Sequence, residues 1–220
     1  GARLQAWDAL VGLEHQQPGM SAAVASWIPG RYGGTSYLAI EGTGLVPDGA
    51  GYQVVSDDYF KVLGIPLLRG RIFDARDRAR STRVALVNRQ LARRHFGTRD
   101  PIGQRIKLPG MEGPEEAAPW VTIIGVVGDV RHYGYEDDLT PEVFVSYRQV
   151  LSWNALTVVA HSRDDDATRA AEAIRRAVHG LDPTVPVRIT LLEQELSELL
   201  VTRRATMGAL AGFGMIALAL

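Results

Sequence analysis

The stretch Val121–Val130, VTIIGVVGDV, constrains the fold more than any other part of this chain. It is almost continuously apolar and rich in β-branched residues, the pattern of a strand buried within a sheet. Shorter runs of the same kind lie on both sides of it. Ala22–Trp27, Tyr37–Glu41, Tyr52–Val55, Val84–Val87, Arg105–Leu108, Glu142–Tyr147, Leu156–His161 and Pro186–Leu191 each read as strands, with Gly, Pro or Asp turns between them. Gly42–Gly51 reads as a loop.

Helical patterns alternate with these strands. Leu4, Trp7, Leu10 and Val11 share one helical face near the start. Ser56 is placed to cap a short helix with Asp57 and Asp58 in its first turn, Gly64 to end it, and Pro66 to forbid its continuation. A second helix is expected over Asn88–Phe96, closed by Gly97, and a third from Asp164–Asp166 to Gly180. The apolar stripe of the third helix is Ala167, Ala170, Ile174, Ala177, Val178 and Leu181. Strands and helices in this order predict an α+β architecture.

Composition removes several functions. The 220 residues carry 24 basic and 25 acidic side chains, a net charge of −1, so a nucleic-acid partner is not expected. The absence of cysteine excludes disulfides, thiolate metal sites and cysteine nucleophiles. Lys61 and Lys107 are the only lysines and neither follows a glycine, so there is no phosphate-binding GxxxxGK[ST] loop. His15, His95, His132, His161 and His179 are scattered, with no HExxH spacing, and no GxSxG elbow is present. The acidic runs Glu136–Asp138 and Asp164–Asp166 lack the alternation of a calcium loop and read as solvated segments. Arg89, Arg93 and Arg94 read as a solvated helix face, and Trp27 and Trp153 as packing residues near strand ends. No catalytic residue, cofactor site or metal site is assigned.

The end of the chain differs from the rest. From Met207 to Leu220 there is no charged or polar side chain, yet the run is shorter than the about 20 residues that span a bilayer. We read it as the opening of a transmembrane helix, with Met207, Leu210, Phe213, Ile216 and Leu220 entering the membrane, and both ends of the chain as points within a longer protein. Arg203 and Arg204 beside this run would by themselves favour a cytoplasmic end. A core helix rich in Ala and Gly is the alternative.

Four motifs occur in a fixed order: VSDDYFKVLGIPLLRGRIFDARD, RVALVNRQLARRHFGTRDPIGQRIKL, WVTIIGVVGDVRHYG and LDPTVPVRI. Together they resemble the MacB-like extracytoplasmic domains of ABC-transporter permeases, within the FtsX/MacB group and nearest to its duplicated orphan permeases. The resemblance runs from about Val54 to Leu220. It implies two lobes: a porter-like lobe from residues 1–60 and 149–202, and a Sabre-like lobe from 61–148 inserted between them. Residues 203–220 would form a stalk and the start of a transmembrane helix. It also implies a place on the periplasmic side of the cell inner membrane and partners in the remainder of the permease and a cytoplasmic ATPase. A homodimer or a pseudo-dimer with a duplicated half is a further implied partner. In that setting the domain relays motion driven by ATP hydrolysis for export or mechanotransmission and is not an enzyme. Tyr59, Phe60, Gly64, Gly70, Arg71, Gly97, Pro101, Gly103, Gly125, Gly128 and Asp129 carry the motifs, and the resemblance gives them a scaffold role. The alternative from a different class is a membrane-tethered ligand-binding or sensory module, which requires an enclosed, largely apolar pocket.

Overall fold

A computed structural model describes residues 2–12, 19–28, 34–109, 114, 117–130, 139–150, 157–162, 166–184 and 186–192. In chain order the elements are α1 (Ala2–Val11), β1 (Met20–Ala25), β2 (Gly34–Ile40), β3 (Gly44–Val55), α2 (Tyr59–Val62) and β4 (Leu67–Gly70). They continue with β5 (Val84–Asn88), α3 (Arg89–Leu91), a π-helical turn (Ala92–Phe96), β6 (Arg105–Lys107), β7 (Val121–Val127), β8 (Glu142–Ser146), β9 (Thr157–Ser162) and α4 (Ala167–Leu181).

The nine strands among the described residues join one mixed sheet in the order β2-β6-β7-β5-β8-β3-β1-β9, with β4 added alongside β7 and β2 also paired with β3. Pairs β3–β8 and β5–β7 are parallel and the rest antiparallel. Every residue of β5 and β8 is buried, which requires cover on both faces. One face carries Ala85, Val87, Val143, Val145, Tyr52 and Val54, packed with Leu91 and Phe96 from α3 and the π turn and with Trp7 and Val11 of α1. The opposite face carries Val84, Leu86, Phe144 and Val55, packed with Tyr59 and Phe60 of α2 and with Phe73. A third cluster joins Leu10 of α1, Met20 and Ala22 of β1, and Ala170, Ala173 and Ile174 of α4.

The link between β1 and β3 is narrow. Only Ala25 and Val55 form a paired position, flanked by backbone bonds from Ser26 N–H to the Val54 carbonyl (2.8 Å) and from Ser56 N–H to the Val24 carbonyl (2.9 Å), and polar side chains reinforce the join. The Val24 N–H donates to Ser56 Oγ (3.0 Å), the Val54 N–H to Ser26 Oγ (3.0 Å), and Ser26 Oγ to Gln53 Oε1 (3.1 Å). All five residues are buried, so these bonds offset the cost of taking their polar groups out of water.

Several expectations need correction. Gly42–Gly51 is not a loop: β3 begins at Gly44 and runs back along β2, from Ile40↔Gly44 to Gly34↔Tyr52. Its Gly and Asp residues are poor strand formers, and cross-strand pairing overrides that weak preference. Ser56 does not cap α2, because its hydroxyl is taken by the Val24 N–H; Asp58 holds the cap position without a side-chain bond. The Asn88–Phe96 helix is α only to Leu91 and then widens into a π turn. The strand at Val121 ends at Val127 rather than Val130. Residues 186–191 join no sheet among the described residues, since the β-branched Val187 and Ile189 form a strand only against a partner edge. β4, exposed along its length after Pro66, was not anticipated. The side chain of Leu4, Trp153, the Glu136–Asp138 run, Asp164, Asp165 and everything from Glu193 to Leu220 lie outside the described residues, so Met207, Leu210, Phe213, Ile216 and Leu220 do too. No helix among the described residues is long and apolar enough to cross a membrane.

The β4–β7 contact depends on two glycines. Gly70 has φ +77°, and a Cβ there would lie 2.2 Å from the Ile124 carbonyl oxygen. A Cβ on Gly125 would lie 2.6 Å from the Arg71 carbonyl oxygen and 2.7 Å from Leu86 Cδ2. Gly103, at φ +84°, faces open space. We expect Gly70→Ala and Gly125→Ala each to lose about 3 kcal/mol through strain and overpacking. Gly103→Ala is expected to lose about 1 kcal/mol, from its backbone conformation alone. Urea midpoints of the three variants would check this ordering; equal losses would contradict it.

Candidate functional site

The motif residues converge around the β4–β7 contact and the face beneath α2. Tyr59 and Phe60 are buried, their rings edge-on at 5.4 Å, and Phe60 meets Phe144 at 5.1 Å and Phe73 at 6.5 Å between centroids. Such contacts add about 0.5–1.5 kcal/mol each beyond area burial. Phe73 reaches this cluster because Arg71 closes the loop that carries it. The Arg71 guanidinium donates two bonds to Asp77, at 2.7 and 2.8 Å, and the Asp77 carboxylate also accepts the Asp74 N–H at 3.0 Å. Asp77 is 4% exposed at its side chain, so this forked pair is protected from water on the carboxylate side.

Asp129 follows β7. Its Oδ1 accepts the Gln90 N–H (2.8 Å) at the start of α3. Asn88 accepts the Leu91 N–H (2.9 Å) and the Glu142 N–H (3.0 Å), and its amide donates to the Thr140 carbonyl (2.8 Å). One buried side chain therefore caps α3 and anchors the start of β8. Pro101 and Gly103 shape a turn held to β7 by the Gly103 N–H on the Ile123 carbonyl (2.8 Å). Gly64 and Gly97 sit at turns with positive φ, and Gly128 approaches the Pro66 ring. Each of these residues touches scaffold, and none of the contacts described for them joins them into a constellation able to make or break bonds.

Among the described residues no three His, Asp or Glu side chains come together as metal ligands. A surface hollow along α4, lined by Glu172, Arg175, Arg176, His179 and Gly180, is open to solvent rather than enclosed. The Trp27 indole N–H is buried and has no hydrogen-bond partner.

A polar cluster that the motifs do not mark lies where α1 meets the end of β8. The Tyr147 hydroxyl donates to Asp8 Oδ1 at 2.5 Å, and Arg148 Nη1 lies 3.0 Å from the same oxygen. Arg148 Nε lies 3.6 Å from Asp57 Oδ2, beyond a hydrogen bond. Burial pushes the Asp57 carboxyl above its ordinary range; Arg148 pulls it back in part, and Asp58, Asp77 and Asp74 push the same way as burial. Burial and the bond to Asp8 likewise raise the Tyr147 hydroxyl. In the sequence Asp57 reads as a helix first-turn acid, and nothing local joins Asp8 to residues 139 positions away.

The whole of residues 2–177 matches the family model for the MacB-like periplasmic core domain. This chain belongs to that family. A 98-residue stretch, 44% of the chain, is 32% identical to the Macrolide export ATP-binding/permease protein MacB 2 of Aeromonas hydrophila, and spans 14% of that protein's length. The fold is similar to the periplasmic region of MacB from Actinobacillus actinomycetemcomitans, with TM-score 0.56, 18% identity, and coverage of 79% of this chain and 72% of that one. It is also similar to the extracellular domain of the noncanonic ABC-type transporter YknZ from Gram-positive bacteria, with TM-score 0.51, 17% identity, and coverage of 80% and 81%. In this chain Tyr59 and Phe60 lie buried in the cluster of α2, and Gly70 and Gly125 at the β4–β7 contact.

Glu142 sits in that scaffold, almost fully buried and against Gly51, where a Cβ would lie 3.2 Å from its Cγ. Burial first, and Asp129 second, hold its carboxyl well above the ordinary glutamate range. An acid raised on folding binds a proton that the unfolded chain releases. Its stabilisation is full below the unfolded pKa, about 4.3, and is lost as pH rises through the folded value. We expect stability in urea to fall over that window and Glu142→Gln to flatten the fall. An unchanged slope in the variant would refute this assignment.

Proposed function

We propose that this chain is the non-catalytic extracytoplasmic domain of an ABC-type permease, carried on the periplasmic side of the cell inner membrane. In this reading it transmits motion driven by ATP hydrolysis on the cytoplasmic side, for export or mechanotransmission. It works with the remainder of the permease, a cytoplasmic ATPase and a second copy or duplicated half. Residues 203–220 form the stalk and the start of a transmembrane helix.

The observation that carries the reading is the packing of the first and last described helices on one part of the family fold. Leu10 of α1 and Ala173 of α4 share a cluster over β1 and its partner β9. A domain inserted between two membrane helices needs its entry and exit side by side. The reading carries with it a porter-like lobe built from residues 1–60 and 149–202 and a Sabre-like lobe over 61–148. β4 to β8 all belong to that middle segment, and β2 and β3 of the first segment join it through β6 and β8 in one continuous sheet. A sheet whose central strands are buried on both faces is stiff enough to move as a body.

The test uses the full-length protein with its ATPase in lipid nanodiscs. This chain has no cysteine, so Thr98→Cys, in an exposed turn, takes one donor fluorophore in this domain. With acceptor dye in the lipid, ATP and vanadate are expected to change energy transfer, and a catalytically dead ATPase is expected to abolish the change. A signal indifferent to nucleotide would overturn the reading.

A further inference from the structure

We infer that Asp8, Tyr147, Arg148 and Asp57 form a latch in which two carboxylates compete for one guanidinium, and that the position of α1 decides which of them holds it. This rests on the force-relay reading above and names the residues through which α1 would act on the sheet.

Asp8 is the α1 side chain that receives bonds from the turn after β8, and Tyr147 and Arg148 both reach its Oδ1. Tyr147 is buried in the main core, so this bond ties α1 to the sheet itself rather than to a loose loop. Arg148 is largely buried, at 26% exposure of its side chain, and its ring-stacked position on Tyr147, 4.9 Å from the centroid, holds it beside Asp8. In that position the guanidinium also meets Asp57 through a second, looser ion pair that falls short of a hydrogen bond. Arg148 Nε and Asp57 Oδ1 are both buried without a hydrogen-bond partner. Nε stands 3.6 Å from Asp57 Oδ2, so a small shift would close the bond.

An unpaired buried donor is unfavourable, so Arg148 Nε gains by closing on Asp57 Oδ2, while Nη1 is engaged by Asp8 at the shorter distance of 3.0 Å. When α1 moves away, Asp8 leaves with it and Arg148 is free to close on Asp57. Asp57 lies just before α2, whose Tyr59 and Phe60 form the aromatic cluster on the opposite face. The hand-over therefore connects a movement of the N-terminal helix to the element that covers the other side of the sheet. Apolar contacts of Trp7, Leu10 and Val11 also hold α1, but they are non-directional and offer no second partner to choose.

The two carboxylates give opposite predictions, which a purely structural role does not. In the full-length protein, hydrogen exchange of the α1 amides is expected to speed about tenfold in Asp8→Asn, which weakens the grip on α1. It is expected to slow in Asp57→Asn, which removes the competitor. Tyr147→Phe should follow Asp8→Asn. Shifts in the same direction for Asp8→Asn and Asp57→Asn, or none in either, would overturn the latch, whatever nucleotide does. A second measurement separates this from the parent reading. With donor dye on Thr98→Cys or on the exposed α1 position Ala9→Cys, Asp8→Asn is expected to reduce the ATP-driven change at Thr98 by half or more while keeping it at Ala9. Full retention at Thr98 would count against the latch. Silence at both positions in the otherwise unmodified protein would count against the force-relay reading, and the exchange result would still decide the latch.

Discussion

Burial of β5 and β8 on both faces is the constraint from which the rest of this domain follows. A strand with no exposed residue can be stable only if apolar cover reaches it from two directions. Here one cover is α1, α3 and the π turn, and the other is α2 with Phe73. The second cover is small: α2 is four residues long and contributes two aromatic rings. It succeeds because the chain between β4 and β5 is folded back by the Arg71–Asp77 fork, and because β4 can approach β7 closely enough at Gly70 and Gly125.

Polar groups inside such a core must be satisfied by design of the surroundings, and most are. Asn88 serves a helix start and a strand start at once, and Gln149 accepts the Val84 N–H (3.0 Å) while donating to Ser81 Oγ and the Thr82 carbonyl (2.9 Å each). The short β1–β3 seam is held by two backbone bonds, Ser26 N–H to the Val54 carbonyl and Ser56 N–H to the Val24 carbonyl, reinforced by the side chains of Ser26, Gln53 and Ser56. Against this background the unpaired atoms of Arg148 and Asp57 stand out, because they lie where the N-terminal helix is gripped. In a domain that belongs to the MacB-like periplasmic core family, whose proposed role is to pass on motion, a contact with two available partners matters more than a pocket.

The family was legible because its motifs are local. Glycines at turns, aromatics on a short helix and the Val121 run each leave their mark within a few residues, so most of the strands and the burial of Tyr59 and Phe60 could be anticipated. The misreadings share a cause. Gly44–Gly51 looks like a loop because its composition is poor for a strand, and it becomes one because β2 supplies a partner. Ser56 looks like a helix cap, and a backbone N–H from residue 24, distant in sequence, claims its hydroxyl.

By itself the sequence determined which segments are strands and helices over most of the described chain, which residues are apolar enough to be buried, and which family they make up. Those properties are written in spacing and side-chain type, and they act over a few residues. Only the tertiary structure decided that α1 and α4 pack together on β1 and β9, that β4 joins β7, and that Asp8 and Asp57 meet at Arg148. Such pairings form between groups far apart along the chain. They exist only after the sheet has assembled and excluded water, when a hydrogen bond or ion pair between them outweighs what each group had in solvent.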